Sequence, residues 1–418
     1  MVSVTKRNTP ALRFDGFDGE WDHRELSQIG VRSTATNTDA ALTETFTNSA
    51  QHGIISQLEY FDNAVSNPAN ISKYSVVEPD DFVYNPRISV TAPFGPINRN
   101  RLSRSGAMSP LYLVFKVFGV DHGFLEQFFK TGLWHDFMRL NGDVGARHDR
   151  FSIGDAKFME MEILTPLLEE QRAIGELFAD LDALIEQHRA KHANLQQTKT
   201  ALLQRMFPQD GADEPELRLG GFANPWVLRH LGEFEITTGP FGSTLHAEDY
   251  VEHGTPIVTT EHFKSGLLPL TGQGVPQVSD DDRRRLKMYW LQTDDIVFSR
   301  VGSVDINARV TELQNGWLFS GRVLRVRPDA TCESEFLHSV LETDSVRGSI
   351  RKRAVGMSMP SINTAILANT SFYQPPTLEE QRAIGEVFSN LDALIAAESH
   401  YITQLTQAKT ALLQRMFV

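Results

Sequence analysis

Turns rich in arginine and asparagine contain the residues of this 418-residue chain whose types and spacing could do chemistry. Asn98-Arg99-Asn100-Arg101 is followed closely by Arg104, which places several forked hydrogen-bond donors on one flexible turn. Arg and Asn side chains bond bidentately to guanine and adenine edges, and Lys or Arg clusters contact phosphates. The chemistry that this turn predicts is recognition of nucleic acid.

The second half of the chain repeats these residue types in other motifs. Residues 239–244 form a tight loop of small polar residues, Arg283-Arg284-Arg285 is a basic run, and Arg351-Lys352-Arg353 crowds the end of a predicted helix. A single basic run is usually a solvated surface, and Arg283 directly follows three aspartates, so recurrence in both halves is what favours DNA. The candidate DNA contacts are Arg87, Asn98, Arg99, Asn100, Arg101, Arg104, Ser243, Thr244, Arg283, Arg284, Arg285, Arg300, Arg309, Arg351 and Arg353.

Catalytic motifs do not occur in the sequence. It contains no G-x-G-x-x-G, G-x-x-x-x-G-K-[ST], H-E-x-x-H or G-x-S-x-G, and Asn85-Pro86 is followed by Arg87 rather than by the Pro and aromatic residue of an amino-methyltransferase pocket. The 13 histidines are scattered without metal-ligand spacing. The sequence therefore predicts neither a catalytic centre nor a metal site.

An internal repeat indicates which elements position these motifs. Residues 166–207 and 376–417 align without a gap, with 27 of 42 positions identical. Weaker matches lie upstream: Pro10-Ala11-Leu12-Arg13 with Pro215-Glu216-Leu217-Arg218, and residues 80–84 with residues 294–298. The chain thus divides into a domain (1–165), a helix (166–207), a second domain (208–375) and a second helix (376–418).

Each repeat reads as one long amphipathic helix. Apolar residues recur at heptad spacing, which favours a coiled-coil partner, and about 40 residues give a rod of about 60 Å. Pro166 and Pro376 end the preceding chain, and Thr377 with Glu380 predicts a capping box. Two such helices in one chain predict an antiparallel intramolecular pair, with the two domains held apart. The predicted spacer positions are Ile174, Leu181, Leu195, Leu202, Ile384, Leu391, Leu405 and Leu412.

The two domains are predicted to be largely β, which makes the fold class α+β. Short apolar runs between turn residues predict strands near residues 82–84, 111–115, 256–258, 296–298 and 323–326. Peripheral helices are predicted over 124–140 and 335–353.

Composition limits the partners and the compartment. The single cysteine, Cys332, excludes an intrachain disulfide, and we expect a cytoplasmic protein with neither a signal peptide nor a membrane span. The net charge of −13 speaks against nucleic acid, and each of the four segments is negative overall. If DNA is the ligand, local Arg and Asn loops must read it while partner proteins neutralise most phosphates.

Several motifs together closely resemble the specificity subunit of type I restriction-modification systems, and the resemblance covers essentially the whole chain. They are Leu-Glu-Glu-Gln-Arg-Ala-Ile-Gly (168–175 and 378–385), Lys-Thr-Ala-Leu-Leu-Gln-Arg-Met-Phe (199–207 and 409–417), Tyr-Asn-Pro-Arg-Ile-Ser (84–89), Gly-Pro-Ile-Asn-Arg-Asn (95–100), Ser-Pro-Leu-Tyr (109–112) and Gly-Pro-Phe-Gly-Ser (239–243).

The resemblance implies two target-recognition domains that each read one half of a bipartite site on double-stranded DNA, with the helices setting the spacer. It also implies a non-catalytic chain that directs adenine methylation and restriction. The partners would be two modification (methyltransferase) subunits and restriction (translocase and endonuclease) subunits. S-adenosylmethionine, ATP and Mg would bind to those partners, and this chain would bind no cofactor.

Differences between the domains predict an asymmetric site. The first domain has no counterpart of Gly239–Ser243, and the second has only Asn307-Ala308-Arg309 near the position of Asn98–Arg101. The competing hypothesis is a protein-interaction scaffold with two binding domains on a coiled-coil spacer. A fused restriction enzyme or methyltransferase is disfavoured by the missing motifs.

Overall fold

The computed structural model describes residues 8–60, 68–144, 149–209, 212–240 and 244–418. Within them the chain forms two compact units. One contains the described residues up to His188 together with Tyr401–Val418, and the other contains Arg189–His400. Each unit therefore holds one domain and one stretch of each long helix.

The first domain is built from short strands and a few short helices. Its strands are β1 Asp22–Glu25, β2 Gly30–Arg32, β3 Thr45–Ser49, β4 Gly53–Ser56, β5 Ser75–Val77, β6 Phe82–Tyr84, β7 Ile97–Arg99, β8 Gly106–Met108, β9 Leu113–Val117, β10 Asp143–Val144, β11 Phe151–Ser152 and β12 Glu162–Thr165. Its helices are α1 Leu26–Ile29, α2 Gln57–Tyr60, α3 His122–Phe128, α4 His135–Asn141 and α5 Asp155–Met159, and the long helix α6 Leu168–Met206 follows.

The second domain has the same kind of composition. Its strands are β13 Val227–His230, β14 Glu235–Thr238, β15 Tyr250–Val251, β16 Thr255–Val258, β17 Gln277–Val278, β18 Ile296–Ser299, β19 Asn307–Arg309, β20 Leu318–Phe319, β21 Val323–Arg327 and β22 Ser371–Gln374. Its helices are α7 Asp280–Arg285, α8 Ser334–Leu341, α9 Asp344–Arg353 and α10 Thr364–Ala368, and the long helix α11 Leu378–Met416 follows.

The two domains share one sheet topology. The order β2-β9-β6-β7 in the first corresponds to β14-β21-β18-β19 in the second, and all these neighbours are antiparallel. A second sheet in each domain contains one parallel pair, β3 with β8 and β16 with β20. The α+β class with largely β domains is confirmed.

The matched motif at residues 80–84 and 294–298 has the same geometry in both sheets. Asp80 and Asp294 precede their strands at φ 69° and 74°, a conformation that non-glycine residues rarely adopt. Each carboxylate accepts from an arginine on the neighbouring strand, Arg99 at 2.8 Å and Arg309 at 2.8 Å. The matched segments of the two domains therefore form the same local ion pair at the start of the strand.

The long helices begin just after the predicted prolines. The hydroxyl of Thr377 accepts from the backbone N–H of Glu380 at 3.4 Å, which is half of the predicted capping box. The other half is wrong, because the Glu380 carboxylate does not bond back to the cap but accepts from Arg218 at 2.7 Å and from the Trp226 indole at 3.2 Å.

Within the first unit, α6 and α11 pair antiparallel. Phe178 packs on Phe417 with ring centroids 6.1 Å apart, Asp182 accepts from Lys409 at 2.5 Å, and His188 packs on Tyr401 at 4.4 Å. Residue numbers rise along one helix as they fall along the other, as antiparallel pairing requires.

Within the second unit the same pattern recurs. The Lys191 ammonium lies 2.6 Å from the Glu398 carboxylate, Lys199 lies 2.6 Å from Asp392, and Phe207 packs 5.5 Å from Phe388. Of the predicted spacer residues, Ile174 and Ile384 are buried, and Leu181, Leu195, Leu202, Leu391, Leu405 and Leu412 are partly buried. Ion pairs add polar contacts between the helices within each unit.

Each predicted peripheral helix is interrupted once. The predicted helix over 124–140 ends at Phe128 and restarts at His135, and that over 335–353 ends at Leu341 and restarts at Asp344. In the second case Thr343 is the cause, because its hydroxyl accepts from Val346 N–H and caps a new helix. The predicted unbroken helices are therefore wrong.

None of the helices in the described ranges combines the length and the apolar character that crossing a bilayer requires.

Candidate nucleic-acid interface

A polar pocket opens on the surface of the first domain. It has a volume of about 580 Å³, and among the described residues its lining contains amide, hydroxyl and aromatic side chains with one cation, Arg87, and no carboxylate. The polar side chains that line it are Thr47, Asn48, Ser49, Gln51, Gln57, Tyr60, Tyr74, Asn85, Arg87, Ser89, Thr91, Ser109 and Tyr112. Such groups donate to and accept from base edges, whereas an acidic lining would repel phosphates.

Buried asparagines fix the floor of this pocket. The Asn85 amide donates to Asn48 O at 2.8 Å, the Asn48 amide donates to Val83 O at 2.7 Å, and the Asn98 amide donates to Asn48 Oδ1 at 2.6 Å. Asn98 Oδ1 accepts from Lys130, whose pKa burial lowers. Since every amide is bonded within the protein, the floor is rigid before any ligand binds.

The rim of the pocket carries exposed cations. Arg87 pairs with Arg150 through an antiparallel β-bridge, and both side chains are exposed. Among the described residues no carboxylate lies within ion-pair distance of Arg87, whereas Asp149 lies 3.9 Å from Arg150. Two like charges side by side beside an uncharged pocket suit a phosphate backbone.

The other candidates of the first domain have partners inside the protein. Arg101 lies 2.9 Å from Glu126, Arg104 bonds bidentately to Glu44 at 2.7 and 2.8 Å, and Arg99 bonds to Asp80. Asn98 is buried, and so is Asn100, whose amide donates to Glu78 O at 2.9 Å. The side chains of the predicted turn bond to other segments of the first domain, and the role of the turn in DNA binding stays a prediction.

The candidate DNA contacts of the second domain lie in and around α7, in the sheet and at the end of α9, and those of α7 have partners within the domain. Arg283 stacks over Trp290 at 4.4 Å, Arg284 pairs with Asp281, and Arg285 bonds to Asp282 and to Thr244 O at 2.7 Å each. Ser243 lies outside the described residues.

The remaining second-domain candidates are divided between the sheet and a helix end. Arg300 donates to the backbone oxygens of Gly321 and Ile362, and Arg309 is held by Asp294 and Glu335. Arg351 and Arg353 are exposed at the end of α9, where Asp305 lies 3.8 Å from Arg351.

Most of the pocket lining was missed by sequence reasoning. Asn48, Gln57 and Tyr74 come from separate segments, and only the parallel pairing of β3 with β8 and the sheet order bring them together. Arg87 alone was both predicted and found there. No local spacing signals the others.

The repeated motifs tie each domain to the long helices. Glu170 accepts twice from Arg13 at 2.7 Å, as Glu380 does from Arg218 at 2.7 and 2.9 Å. The next residue, a glutamine, accepts a hydrogen bond from a backbone N–H of the domain in both copies. Gln171 accepts from Asp121 N–H and Gln381 from Glu333 N–H, both at 2.9 Å. The Glu-Gln pairs of the two repeated motifs are therefore structural.

A titratable cluster lies where the second domain meets the helices of its own unit. His338, Glu342 and Asp392 offer ligand atoms within 4.8 Å of one another, but Lys199 forms ion pairs with both carboxylates and supplies the positive charge there. His338 Nδ1 donates to Asn307 Oδ1 at 2.7 Å. Burial lowers the pKa of His338 to about 4.

We expect acid to destabilise the second unit through His338. Its pKa is about 4 in the fold and 6.5 when exposed, so the unfolded state binds more protons between these values. The free energy of unfolding should fall as pH drops from about 6.5 to 4, by at most about 3 kcal/mol. Urea unfolding across this range checks the slope, and His338→Gln should flatten it. An unchanged slope in the variant would assign the acid response to other groups.

Part of the chain matches a family of known proteins. Residues 224–407 match the model of the type I restriction modification DNA specificity domain. The type I restriction enzyme MjaVIII specificity subunit of Methanocaldococcus jannaschii is 22% identical over 266 residues, and the match covers 61% of this chain and 61% of that protein. The aligned part thus spans under two thirds of that relative.

One solved structure shows the same fold. The S subunit of a type I restriction-modification system from M. genitalium superposes with a TM-score of 0.64 at 14% identity, covering 98% of this chain and 99% of that one. The HsdS subunit from Thermoanaerobacter tengcongensis gives a TM-score of 0.43 at 16% identity, covering 95% of this chain and 96% of that one. Residues 224–407 thus match the type I restriction modification DNA specificity domain, and the chain shares the fold of the M. genitalium S subunit.

Proposed function

We propose that this chain reads a bipartite DNA site, one half with each domain, as the non-catalytic specificity subunit of a cytoplasmic type I restriction-modification complex. The observation that carries the proposal is the rigid pocket of the first domain, which is polar, has no carboxylate among its described lining residues and includes Arg87, the bridge partner of Arg150. The match of residues 224–407 to the specificity-domain model supports the same function. The antiparallel seam within each unit supports a role for the helices as the spacer.

The proposed partners are two modification subunits and restriction subunits, and these would hold S-adenosylmethionine, ATP and Mg. The net charge of −13 supports a complex in which the partner subunits, rather than this chain, neutralise most of the DNA phosphates. Each salt bridge that uses an arginine internally, as at Arg99, Arg101 and Arg309, removes one cation from phosphate binding. The chain is therefore suited to read bases while its partners neutralise phosphates.

Sequencing of methylated genomic DNA with and without this gene tests the function. We expect one methylated motif to vanish when the gene is deleted, with two non-identical halves, since the first domain has no counterpart of the sequence Gly239–Ser243 of the second. An unchanged methylation pattern would contradict the proposed function. A palindrome with identical halves would contradict the asymmetry alone.

DNA affinity should depend on assembly. We expect weak, salt-sensitive binding of a site-containing duplex by the isolated chain and far tighter binding once modification subunits are added, because the partners supply the phosphate contacts. Titrations at several salt concentrations measure both states. Equal affinity in the two states would refute the division of labour, and no DNA binding in either would favour a protein scaffold.

Replacing Arg87 should weaken recognition of one half-site. We expect Arg87→Ala to reduce affinity of the assembled complex roughly tenfold, since one arginine contact to a base or phosphate contributes about 1–3 kcal/mol. Lys157→Ala is the matched control, because it removes one exposed cation that is already paired with Glu160 on α5. Equal losses in the two variants would mean that Arg87 contributes only general charge.

A further inference from the structure

A short hairpin in the second domain exposes three apolar side chains. It runs from Val355 to Ser361, and Val355, Met357 and Met359 are 65%, 105% and 66% exposed. Burying a methionine or valine side chain stabilises a protein, so a folded domain that leaves three of them in water within five residues forgoes that stabilisation. Contiguous exposed apolar side chains of this kind mark an interaction site.

Backbone hydrogen bonds hold the hairpin in one conformation. Val355 N–H donates to Ser361 O at 2.9 Å, and Ser361 N–H donates to Val355 O at 2.8 Å. Gly356 has φ 106°, and a Cβ at this position would lie 2.7 Å from Met359 O, so the tight turn requires glycine. The apolar side chains are therefore presented by a preformed loop.

The base of the hairpin is fixed to the central sheet. Gly302 N–H donates to Pro360 O at 2.8 Å and Ile362 N–H donates to Arg300 O at 2.9 Å, directly after strand β18. Val301, just after β18, forms an antiparallel bridge to Ser361 at the end of the hairpin. Since residues 80–84 match residues 294–298, Val301 corresponds to Arg87 of the first domain, which forms the same bridge to Arg150. Ser361 thus occupies in its own domain the place that Arg150 occupies in the other.

Cations lie directly before the hairpin. Arg351, Lys352 and Arg353 are exposed in the last turn of α9, and the chain enters the hairpin one residue later. Cations at a helix C-terminus also stabilise the helix dipole, which accounts for part of their placement. The helix dipole does not explain why exposed methionines adjoin these cations. Proteins that insert apolar side chains between stacked bases often carry cations beside them, which contact the neighbouring phosphates.

We infer that the hairpin of residues 355–361 is a wedge that inserts Met357 and Met359 into the base stack of duplex DNA at the half-site of the second domain. Arg351, Lys352 and Arg353 contact the adjacent phosphates. The inference rests on the proposed function. A protein partner fits less well, since three side chains supply a small part of the roughly 800 Å² per partner that a stable protein interface buries.

The test uses the full chain assembled with its modification subunits and a duplex that contains the site found by methylation mapping. 2-Aminopurine, whose fluorescence rises when it is unstacked, replaces one base at a time across the second half-site. We expect one position to brighten on binding. The double variant Met357→Ser/Met359→Ser should abolish that signal and weaken binding roughly tenfold, because the wedge contacts that offset the cost of unstacking are lost.

Met288→Ser is the matched control, because Met288 is 66% exposed in the same domain but lies outside the hairpin, and it should leave both readouts unchanged. Lys352→Gln/Arg353→Gln should instead reduce the salt dependence of binding while the fluorescent signal remains at saturating protein. Circular dichroism confirms that each variant is folded.

The outcomes separate the two proposals. Failure of the unaltered complex to bind any duplex refutes the proposed function itself. Normal binding with no unstacking at any position, or a double variant that binds and brightens as the unaltered complex does, refutes the wedge. A double variant that loses its modification subunits while its own DNA binding is unchanged shows a protein-docking loop and also overturns the wedge.

Discussion

Phe417→Ala is expected to lower the free energy of unfolding of the first unit by about 3–5 kcal/mol, as truncation of a buried phenylalanine does. The ring is 5% exposed and packs on Trp21, Phe124 and Phe178, with centroids 6.3, 5.3 and 6.1 Å away. It joins the last turn of α11 to the domain and to the first turns of α6. Its removal leaves a cavity at the junction that holds the unit together.

The repeat supplies a matched variant in the other unit. Phe207 is equivalent to Phe417 and packs on Trp226, Phe336 and Phe388. Phe207→Ala should therefore destabilise the second unit by a similar amount. Hydrogen exchange resolved by residue distinguishes the two, since each variant should lose protection mainly in its own unit.

Leu167→Ala is the surface control, because Leu167 is 68% exposed and its truncation should cost under about 0.5 kcal/mol. Urea unfolding of the three variants measures the free energies. A Phe417→Ala loss no larger than that of Leu167→Ala would show that the helix end is not part of the core.

These aromatic contacts explain why the architecture could be predicted from the sequence. Each of the near-identical repeats contains a Glu, a Gln and a terminal Phe that contact the equivalent partners in their own unit. These contacts constrain the sequence of both copies. Arg13 and Arg218 were matched as weak upstream repeats, and each is the bidentate partner of a repeat glutamate. Long periodic helices and local ion pairs leave signals at fixed spacing.

The candidate site could be predicted only in part, and the reason is also physical. Arginine loops were identified by residue type, but type does not tell whether an arginine faces DNA or a carboxylate of its own chain. Arg104 and Arg309 each have two carboxylates within 4.0 Å, and the nearest partners come from distant positions in the sequence. Those pairings depend on sheet topology, as the pocket does.

The exposed apolar side chains of the hairpin could not be predicted from the sequence either. Residues 354–360 contain no motif that composition or periodicity would single out, and their apolar side chains would ordinarily be assigned to a core. Only the backbone bonds at Val355 and Ser361 show that these side chains project into solvent. Exposure of apolar groups is a tertiary property and leaves no local spacing.

The helix seam leads to the second large expected effect, a change in the length of the DNA spacer. In the first unit Asp182 pairs with Lys409, and in the second Asp392 pairs with Lys199, so the same two repeat positions form both pairs. An insertion into one helix alone must break one of these equivalent pairs and displace Phe207 or Phe417. Equal insertions at equivalent positions of both helices keep every pair.

We therefore expect seven residues inserted between Glu186 and Lys191, together with seven between Ala396 and Tyr401, to yield a folded chain that directs methylation to half-sites farther apart. A heptad adds about 10 Å of helix and keeps the apolar stripe on the same face. Since 10 Å is the rise of about three base pairs, the spacer should lengthen by one to about three base pairs while both half-sites stay the same.

Methylation mapping of a strain that carries the paired insertion measures the spacer directly, and the single insertion in α6 is its control. The single insertion should destabilise the chain and reduce methylation, because one end of the seam loses its register. The paired variant decides whether the helices determine spacing: methylation at the original spacer length by a stably folded paired variant would refute that role. A longer spacer with unchanged halves would establish that recognition and spacing are carried by separate parts of this chain.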